Sequence, residues 1–470
     1  MSGWTTPQSL AALALTAIFV GIVVTRRQRG VLAYAVLGAT PPALQIASFS
    51  GRTVSQGLLL AEVLATVLVG TWLLGRERGR RWLRTPFDAP LLLMAASAIL
   101  SLVAAELAPE ARMAGQVTRA VSVGQVLLVL WPVGVYFASR ELITRVEQLR
   151  WLQRVTLLLA LPQLVMPWVP NDLQRYMAWT WTFGLYASPL ALAAIFATRS
   201  WLTRLLYCGI VLIPLVRGVT SGKVFLYGFV VSAAVAILWV RARGASLVAA
   251  LMLAVLLVAG ALAAGSTSIT SPFERLVDTE RQQSSFEGKG GRGALIVAAL
   301  SIWQEAPLLG VGPGNSYVYM LERSPIGTPH NQYMNILTEF GLVGLGIWLW
   351  FLAATFRTGL RVYHALVDPE LRTYALGWIG VFAGMVAGSV TGDYMLHSIR
   401  NGGLELFQGY YPQWILLGGL VAAVDLQSVA ARDQLAPDDA APMQRGRALA
   451  VRRGAGRFGA RQPAARLTRR

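Results

Sequence analysis

His330 and Asn331 stand side by side in the run Thr328-Pro329-His330-Asn331-Gln332-Tyr333-Met334-Asn335. Thr328 is a good N-cap residue and Pro329 suits a first helical position, so the run predicts a helix start with His330 and Asn331 in its first turn. The unpaired N–H groups and positive dipole end of such a start favour an anion. On one straight helix His330, Tyr333, Met334 and Leu337 share a face. Asn331, Asn335 and Thr338 share another, and Glu339 falls opposite His330. A simple His330–Glu339 dyad is therefore not expected. The plain alternative for a lone histidine is a structural role. Its place at a helix start, where an anion is favoured, argues for chemistry.

Upstream lies Pro307-Leu308-Leu309-Gly310-Val311-Gly312-Pro313-Gly314-Asn315. Three glycines in five residues let backbone come close to a ligand or to another helix. The spacing is not a dinucleotide fingerprint, and no strand precedes it. Before it, Gly291-Arg292-Gly293 opens an apolar run from Ala294 to Glu305, which predicts a helix at a membrane interface, a depth that suits Trp303. Further upstream, Arg217 and Lys223 flank Gly218-Val219-Thr220-Ser221-Gly222. That string resembles a P-loop only superficially, because Arg217 replaces the first glycine and Val224 follows the lysine. Each cation either snorkels to the interface or forms a seat for phosphate. The region has no convincing pair of catalytic carboxylates and no Asp-x-Asp pair for a metal-bound sugar nucleotide. Cations without metal ligands suit a substrate that brings its own diphosphate. We expect no metal and no cofactor.

The elements that position these residues are membrane spans. The 470-residue chain is 55% hydrophobic, with a mean hydropathy of +0.53. Only 14% of residues are charged, against about 25% in ordinary soluble domains. Apolar runs repeatedly reach the ~20 residues a helix needs to cross a bilayer. Spans are expected near 9–24, 31–48, 57–75, 89–107, 121–138, 155–170, 183–198, 203–219, 224–240, 247–265, 341–356, 373–391 and 413–425. Pro41 and Pro42 make the second the weakest, so the count is thirteen or twelve. The fold class is all-α.

The net charge of +18 is better explained by topology than by nucleic acid. Arginines cluster after the odd-numbered spans: Arg26, Arg27 and Arg29; Arg76 to Arg84; Arg140, Arg145, Arg150 and Arg154; Arg199 and Arg204; Arg241 and Arg243; Arg357, Arg361 and Arg372. The positive-inside rule places these loops and the C-terminus in the cytoplasm. The first apolar run lacks a basic n-region and reads as an anchor. The single cysteine, Cys208, cannot form an intrachain disulfide. Four parts follow: residues 1–265 with ten spans, an outward loop over 266–340, further spans over 341–425, and a basic tail over 426–470. The tail's composition predicts disorder, with loose contact to anionic lipid.

The strings RGALIVAALSIWQEAPLLGVGPGNS and PHNQYMNILTEFGLVGLGIWLW resemble the signature region of the O-antigen ligase and polymerase superfamily. Arg292, Pro307 to Asn315, His330, Asn331, Glu339, Gly341 and Gly344 match its parts. TSGKVFLYGFVV resembles the family's serine–basic motif, with Gly222 intervening before Lys223 and Arg217 as the rival cation. The resemblance covers about residues 215–345. It implies metal-independent, inverting glycosyl transfer on the periplasmic face of the bacterial inner membrane. The donor is an undecaprenyl-diphosphate-linked glycan. The acceptor is a lipid A-core sugar for a ligase, or another lipid-linked repeat for a polymerase. Arg292, with Arg217 or Lys223, would hold the diphosphate. His330 would be general base toward the acceptor hydroxyl or a donor to the diphosphate. Asn331, Tyr333, Asn315 and Glu339 would make secondary contacts. A transporter or flippase is the reading from another class, disfavoured by scarce intramembrane acids and the lack of an inverted repeat. An alkaline phosphatase fusion within 266–290 should be active and one at the C-terminus inactive. The reverse pattern refutes the orientation.

Overall fold

Backbone inside a bilayer must satisfy its own hydrogen bonds, so apolar runs of this length coil into helices. A computed structural model of the chain describes residues 7–38, 45–50, 55–75, 84–107, 119–165, 181–221, 225–242, 292–324, 326–390, 392–396 and 407–435. The elements are α1 Pro7–Thr25, α2 Arg27–Leu37, β1 Gln45–Ser50, β2 Ser55–Leu59, α3 Leu60–Leu74, α4 Asp88–Leu107, α5 Arg119–Leu142, α6 Val146–Ala160, α7 Pro162–Val165, α8 Trp181–Ile195, α9 Trp201–Ser221, α10 Phe225–Ala242, α11 Arg292–Glu305, α12 Ser316–Arg323, α13 Gln332–Ala365, α14 Pro369–Gly388 and α15 Phe407–Leu435. The protein is a polytopic, all-α membrane protein with one small antiparallel ribbon, β1–β2. Val121–Leu142, Gln332–Ala365 and Pro369–Gly388 are long and apolar enough to cross a membrane, and shorter apolar helices accompany them. Residues 1–424 form one unit and 425–470 another.

Three sequence expectations change. The span expected at 31–48 is instead an 11-residue helix, α2, followed by strand β1 from Gln45. Pro41 and Pro42 between them supply no N–H groups to a helix, and proline biases the residue before it to extended backbone. Arg140, expected in a loop, lies in the last turn of α5. Arg150 and Arg154, also expected in a loop, lie within α6, whose start is capped by Gln148 Oε1 accepting from the N–H groups of Thr144 and Arg145. The span expected at 247–265, the loop from 266 to 291 and the tail from 436 lie outside the described residues. Helix α15 reaches Leu435, nine residues past the expected start of the tail at 426.

The core is aromatic. Phe351 of α13 contacts Trp348 in its own helix, Trp414 of α15 and Phe87 before α4. Phe87 in turn meets Tyr136 of α5. Helix α14 packs along α8, α10 and α13, and α4 lies against α13. The large side chains Trp348, Trp414, Tyr136 and Phe351 are fully buried, so α13 is held from several sides along this stretch.

A buried charge network locks α4 to α5. Asp88, at the start of α4, receives the backbone N–H groups of Arg84 and Thr85 at 2.7 and 2.8 Å. Its other oxygen accepts from Tyr136 Oη at 2.5 Å. The Arg140 guanidinium donates to Asp88 at 2.7 Å, and neither side chain has any exposure. Glu141 accepts from Trp72 of α3 at 3.0 Å. Arg140 also lies over the rings of Tyr136 and Phe137. The Asp88–Arg140 pair replaces lost hydration with direct hydrogen bonds, and removing one partner strands the other charge. Arg140→Met should lower stability in detergent by about 3–5 kcal/mol. The double variant Asp88→Asn with Arg140→Met should recover part of that loss. Chemical denaturation midpoints measure both, and equal midpoints for Arg140→Met and the parent would refute the coupling.

Candidate active site

The candidate site is built around the start and the break of α13. The backbone angles show the break directly: Gly341 adopts φ 65 and ψ −165 inside an otherwise continuous helix. A straight helix would pair the N–H of Leu342 with the carbonyl of Thr338, and that of Val343 with Glu339. Both bonds are replaced by the glycine-rich turn. Leu342 and Val343 donate instead to the carbonyls of Pro307 and Leu308, at 2.9 and 3.2 Å. The carbonyls of Thr338 and Glu339 accept from Val311 and Gly312, at 2.8 and 3.2 Å. Ser101 of α4 adds a hydroxyl to the Glu339 carbonyl at 3.1 Å.

This pairing explains two of the glycines. Gly310 has φ 72, and a Cβ there would collide with the backbone of Glu339 and Phe340. A Cβ on Gly341 would collide with the Leu308 carbonyl. Each glycine supplies both the left-handed backbone and the room for the other chain segment. Side chains reinforce the joint. Ser316 Oγ donates to buried Glu339 at 2.8 Å, and Asn315 Nδ2 to the Val311 carbonyl at 2.8 Å. Glu339 therefore faces the turn. Asn315 is 1% exposed, and its Oδ1 has no hydrogen-bond partner among the described residues.

The start of α13 differs from the sequence expectation. Asn331, not Thr328, is the N-cap: its side chain accepts from Tyr333 and Met334 N–H at 3.0 and 3.1 Å. Thr328 Oγ1 instead accepts from His330 N–H at 3.3 Å. The physical reason is His330 itself, at φ 48, which cannot continue a right-handed helix. It is the one non-glycine residue with positive φ among the described residues. Histidine tolerates this region better than most side chains, yet the conformation is uncommon and such outliers concentrate at functional sites. His330 is half-buried and stands directly before the capped helix end.

The elements behind His330 hold it by buried polar ties. Gln332 is fully buried, and its Oε1 accepts from Ser389 Oγ and Met395 N–H, each at 2.9 Å. Its Nε2 has no partner among the described residues. Tyr333 donates its hydroxyl to the Val386 carbonyl at 2.9 Å. Asn335 donates to buried Asp393 at 2.5 Å. Sequence reasoning missed Gln332, Ser389 and Asp393. Asp393 follows a predicted span by two residues, and an isolated acid there carries no motif.

The structure places Arg292 at the first position of α11. That helix joins α12 through Leu295, Ala298, Ala299, Ile302, Val311 and Met320, with Met334 of α13 packed against the cluster. Helix α11, which begins at Arg292, and helix α13, which begins just after His330, thus share one small core. The side chains of Arg292 and Arg217 lie outside the described residues, as does all of Lys223. Arg217 belongs to the last turns of α9. Among the described residues, no three His, Cys, Asp or Glu side chains gather in a metal-binding set.

Residues 208–349 match the O-antigen ligase family model. Over this range the chain carries a domain that matches the O-antigen ligase superfamily. No curated protein matches the chain. The matched range runs from α9 past the break in α13, and Arg217, Lys223, Arg292, Asn315, His330 and Glu339 all fall within it. Ser389 and Asp393, which brace its helix start, lie beyond it. The O-antigen ligase domain's joint should not tolerate a side chain at its break. Gly341→Ala should abolish activity and lower stability by more than about 2 kcal/mol, through left-handed strain and lost backbone bonds. Gly346→Ala, on the same helix with open space around its Cβ position, should be neutral or stabilising by up to ~1 kcal/mol. Comparable unfolding midpoints for the two variants would contradict this account of the joint.

Proposed function

We propose that the protein transfers a glycan from undecaprenyl diphosphate to a sugar hydroxyl on the periplasmic face of the inner membrane, as an O-antigen ligase. The acceptor is lipid A-core. The observation that carries the reading is His330, held at positive φ beside the capped start of α13 and inside the family-matched range.

In the proposed reaction the acceptor hydroxyl oxygen attacks the anomeric carbon of the donor sugar. His330 takes the hydroxyl proton as general base. The bond between the anomeric carbon and the diphosphate oxygen breaks, and undecaprenyl diphosphate leaves with that electron pair. Attack from the face opposite the leaving group inverts the anomeric centre. The negative charge growing on the diphosphate is met by Arg292 and by Arg217 or Lys223. Guanidinium suits this task, because its planar fork matches phosphate oxygens and it stays charged. These fixed cations do the neutralisation that a divalent ion performs elsewhere, so the reaction is expected to proceed without a metal.

The surrounding residues take positioning roles. Asn331 Oδ1 is occupied by the cap and sets where the backbone of His330 points. Tyr333 is engaged with the end of α14 through its hydroxyl. Glu339 and Asn315 brace the turn that couples α11 to α13.

Purified protein with an undecaprenyl-diphosphate glycan and lipid A-core tests the reaction, with EDTA present. We expect transfer with EDTA, and its loss by at least about a hundredfold in His330→Ala. Arg292→Ala should also be inactive, while Arg361→Gln should act like the parent. Normal transfer by His330→Ala refutes the general-base assignment. In cells, a knockout should accumulate unligated lipid-linked long chains; products with a single repeat would indicate a polymerase.

A further inference from the structure

The far end of α13 carries a second feature that the glycan chemistry does not use. A cavity of about 270 Å³ opens between the ends of α8 and α10, the last turn of α13 and the start of α14. Two arginines frame it. Arg241 lies over the ring of Phe196, 4.0 Å from its centre, and Arg372 over the ring of Tyr363 at 4.6 Å. Phe196, Arg241, Tyr363 and Arg372 all line the cavity. Neither guanidinium has an ion-pair partner among the described residues. Stacking on an aromatic face fixes a guanidinium's plane and leaves its N–H edge for an acceptor. Two cations so held on one cavity, without a carboxylate, are arranged for one shared anion.

We propose that this cavity binds the phosphate of an anionic phospholipid headgroup. The site lies about 34 residues along α13 from the candidate active site, so the two stand at opposite ends of one spanning helix. Its size falls just below the ~300–1,000 Å³ of pockets that enclose drug-sized ligands, which suits a headgroup. Its rim is apolar: Val367 on the lining is 83% exposed. Trp239, two residues before Arg241, is 44% exposed and stacks on Phe356. Exposed tryptophan beside arginine at a helix end marks a membrane–water boundary, where acyl chains have apolar surface to lie on. A soluble phosphate would gain nothing from that rim. Basic pockets between helix ends are known seats for acidic lipid headgroups.

The test uses the full chain, purified and delipidated in neutral detergent, and reads the melting midpoint against added lipid. Phosphatidylglycerol should raise the midpoint saturably, whereas phosphatidylcholine and inorganic phosphate should not. Arg241→Gln and Arg372→Gln should each weaken the apparent affinity about fivefold. Both positions are exposed, so the variants should fold. Arg361→Gln, an exposed arginine on the same end of α13 but off the cavity, should leave the response unchanged. Equal stabilisation by inorganic phosphate would make this a free-anion site and overturn the lipid assignment. So would equal stabilisation by phosphatidylcholine, no response to phosphatidylglycerol, or a full response in the Arg241→Gln, Arg372→Gln double variant.

Discussion

The exchange of backbone hydrogen bonds at Gly341 is the constraint on which the site depends. Breaking α13 there frees two donors and two acceptors next to a membrane core. Left unmade and buried, each such group costs about 1–3 kcal/mol. The turn from Pro307 to Gly312 supplies a partner for each of the four. The break is therefore tolerated only while the turn is docked, and the turn is docked only while the break exposes those groups. Irregular backbone at membrane depth is found where protein covers it, and here the cover is the segment that leads from Arg292 toward His330. The joint fixes how α11 approaches α13, and with it the distance between the arginine-bearing helix and the histidine.

Length decides where this joint sits. From Leu342 to Ala365 the helix extends roughly 36 Å at ~1.5 Å per residue, enough to cross the ~30 Å hydrocarbon core. Leu342, Val343, Leu349 and Trp350 are all between 44% and 50% exposed, as expected of a face turned to lipid. The part of α13 before the break is then surplus to the span and stands at the interface. Its residues show the change: Gln332, Asn335, Thr338 and Glu339 are buried against protein. Polar groups at that depth need fixed partners, and Ser389, Asp393 and Ser316 provide them.

The sequence made several of these features legible and hid others, for physical reasons. Helix existence was plain, because apolar runs near the bilayer length have few other uses. The close approach implied by Gly310 and Gly312 was legible as well, but not its partner, since nothing in Glu339-Phe340-Gly341 marks a break in a long apolar helix. The helix start was misplaced by three residues. Thr328-Pro329 and Asn331 are both sound starts by local rule, and the choice rests on the backbone of His330, which no spacing reveals. Arg140 read as a loop cation because charge pattern registers sign and not depth. Its partner Asp88 lies 52 positions earlier, and only the packing of α4 on α5 brings them together.

These misreadings share a cause that also bears on how the protein works. Local rules assign each polar residue to its own helix, whereas here the polar residues serve contacts between helices. Asp88 with Arg140 joins α4 to α5, Gln332 joins α13 to the end of α14, and Ser101 joins α4 to the broken turn. Lipid offers no hydrophobic force to press helices together, so hydrogen bonds and shape must set their register. Helix α4 takes part in two of these joints, one near each of its ends. A shift of α4 along its axis would strain the Asp88–Arg140 pair and the Ser101 contact at once. The site at the start of α13 is thus held in place by charges buried some 13 residues away along α4, which makes Asp88 and Arg140 part of its geometry without touching its chemistry.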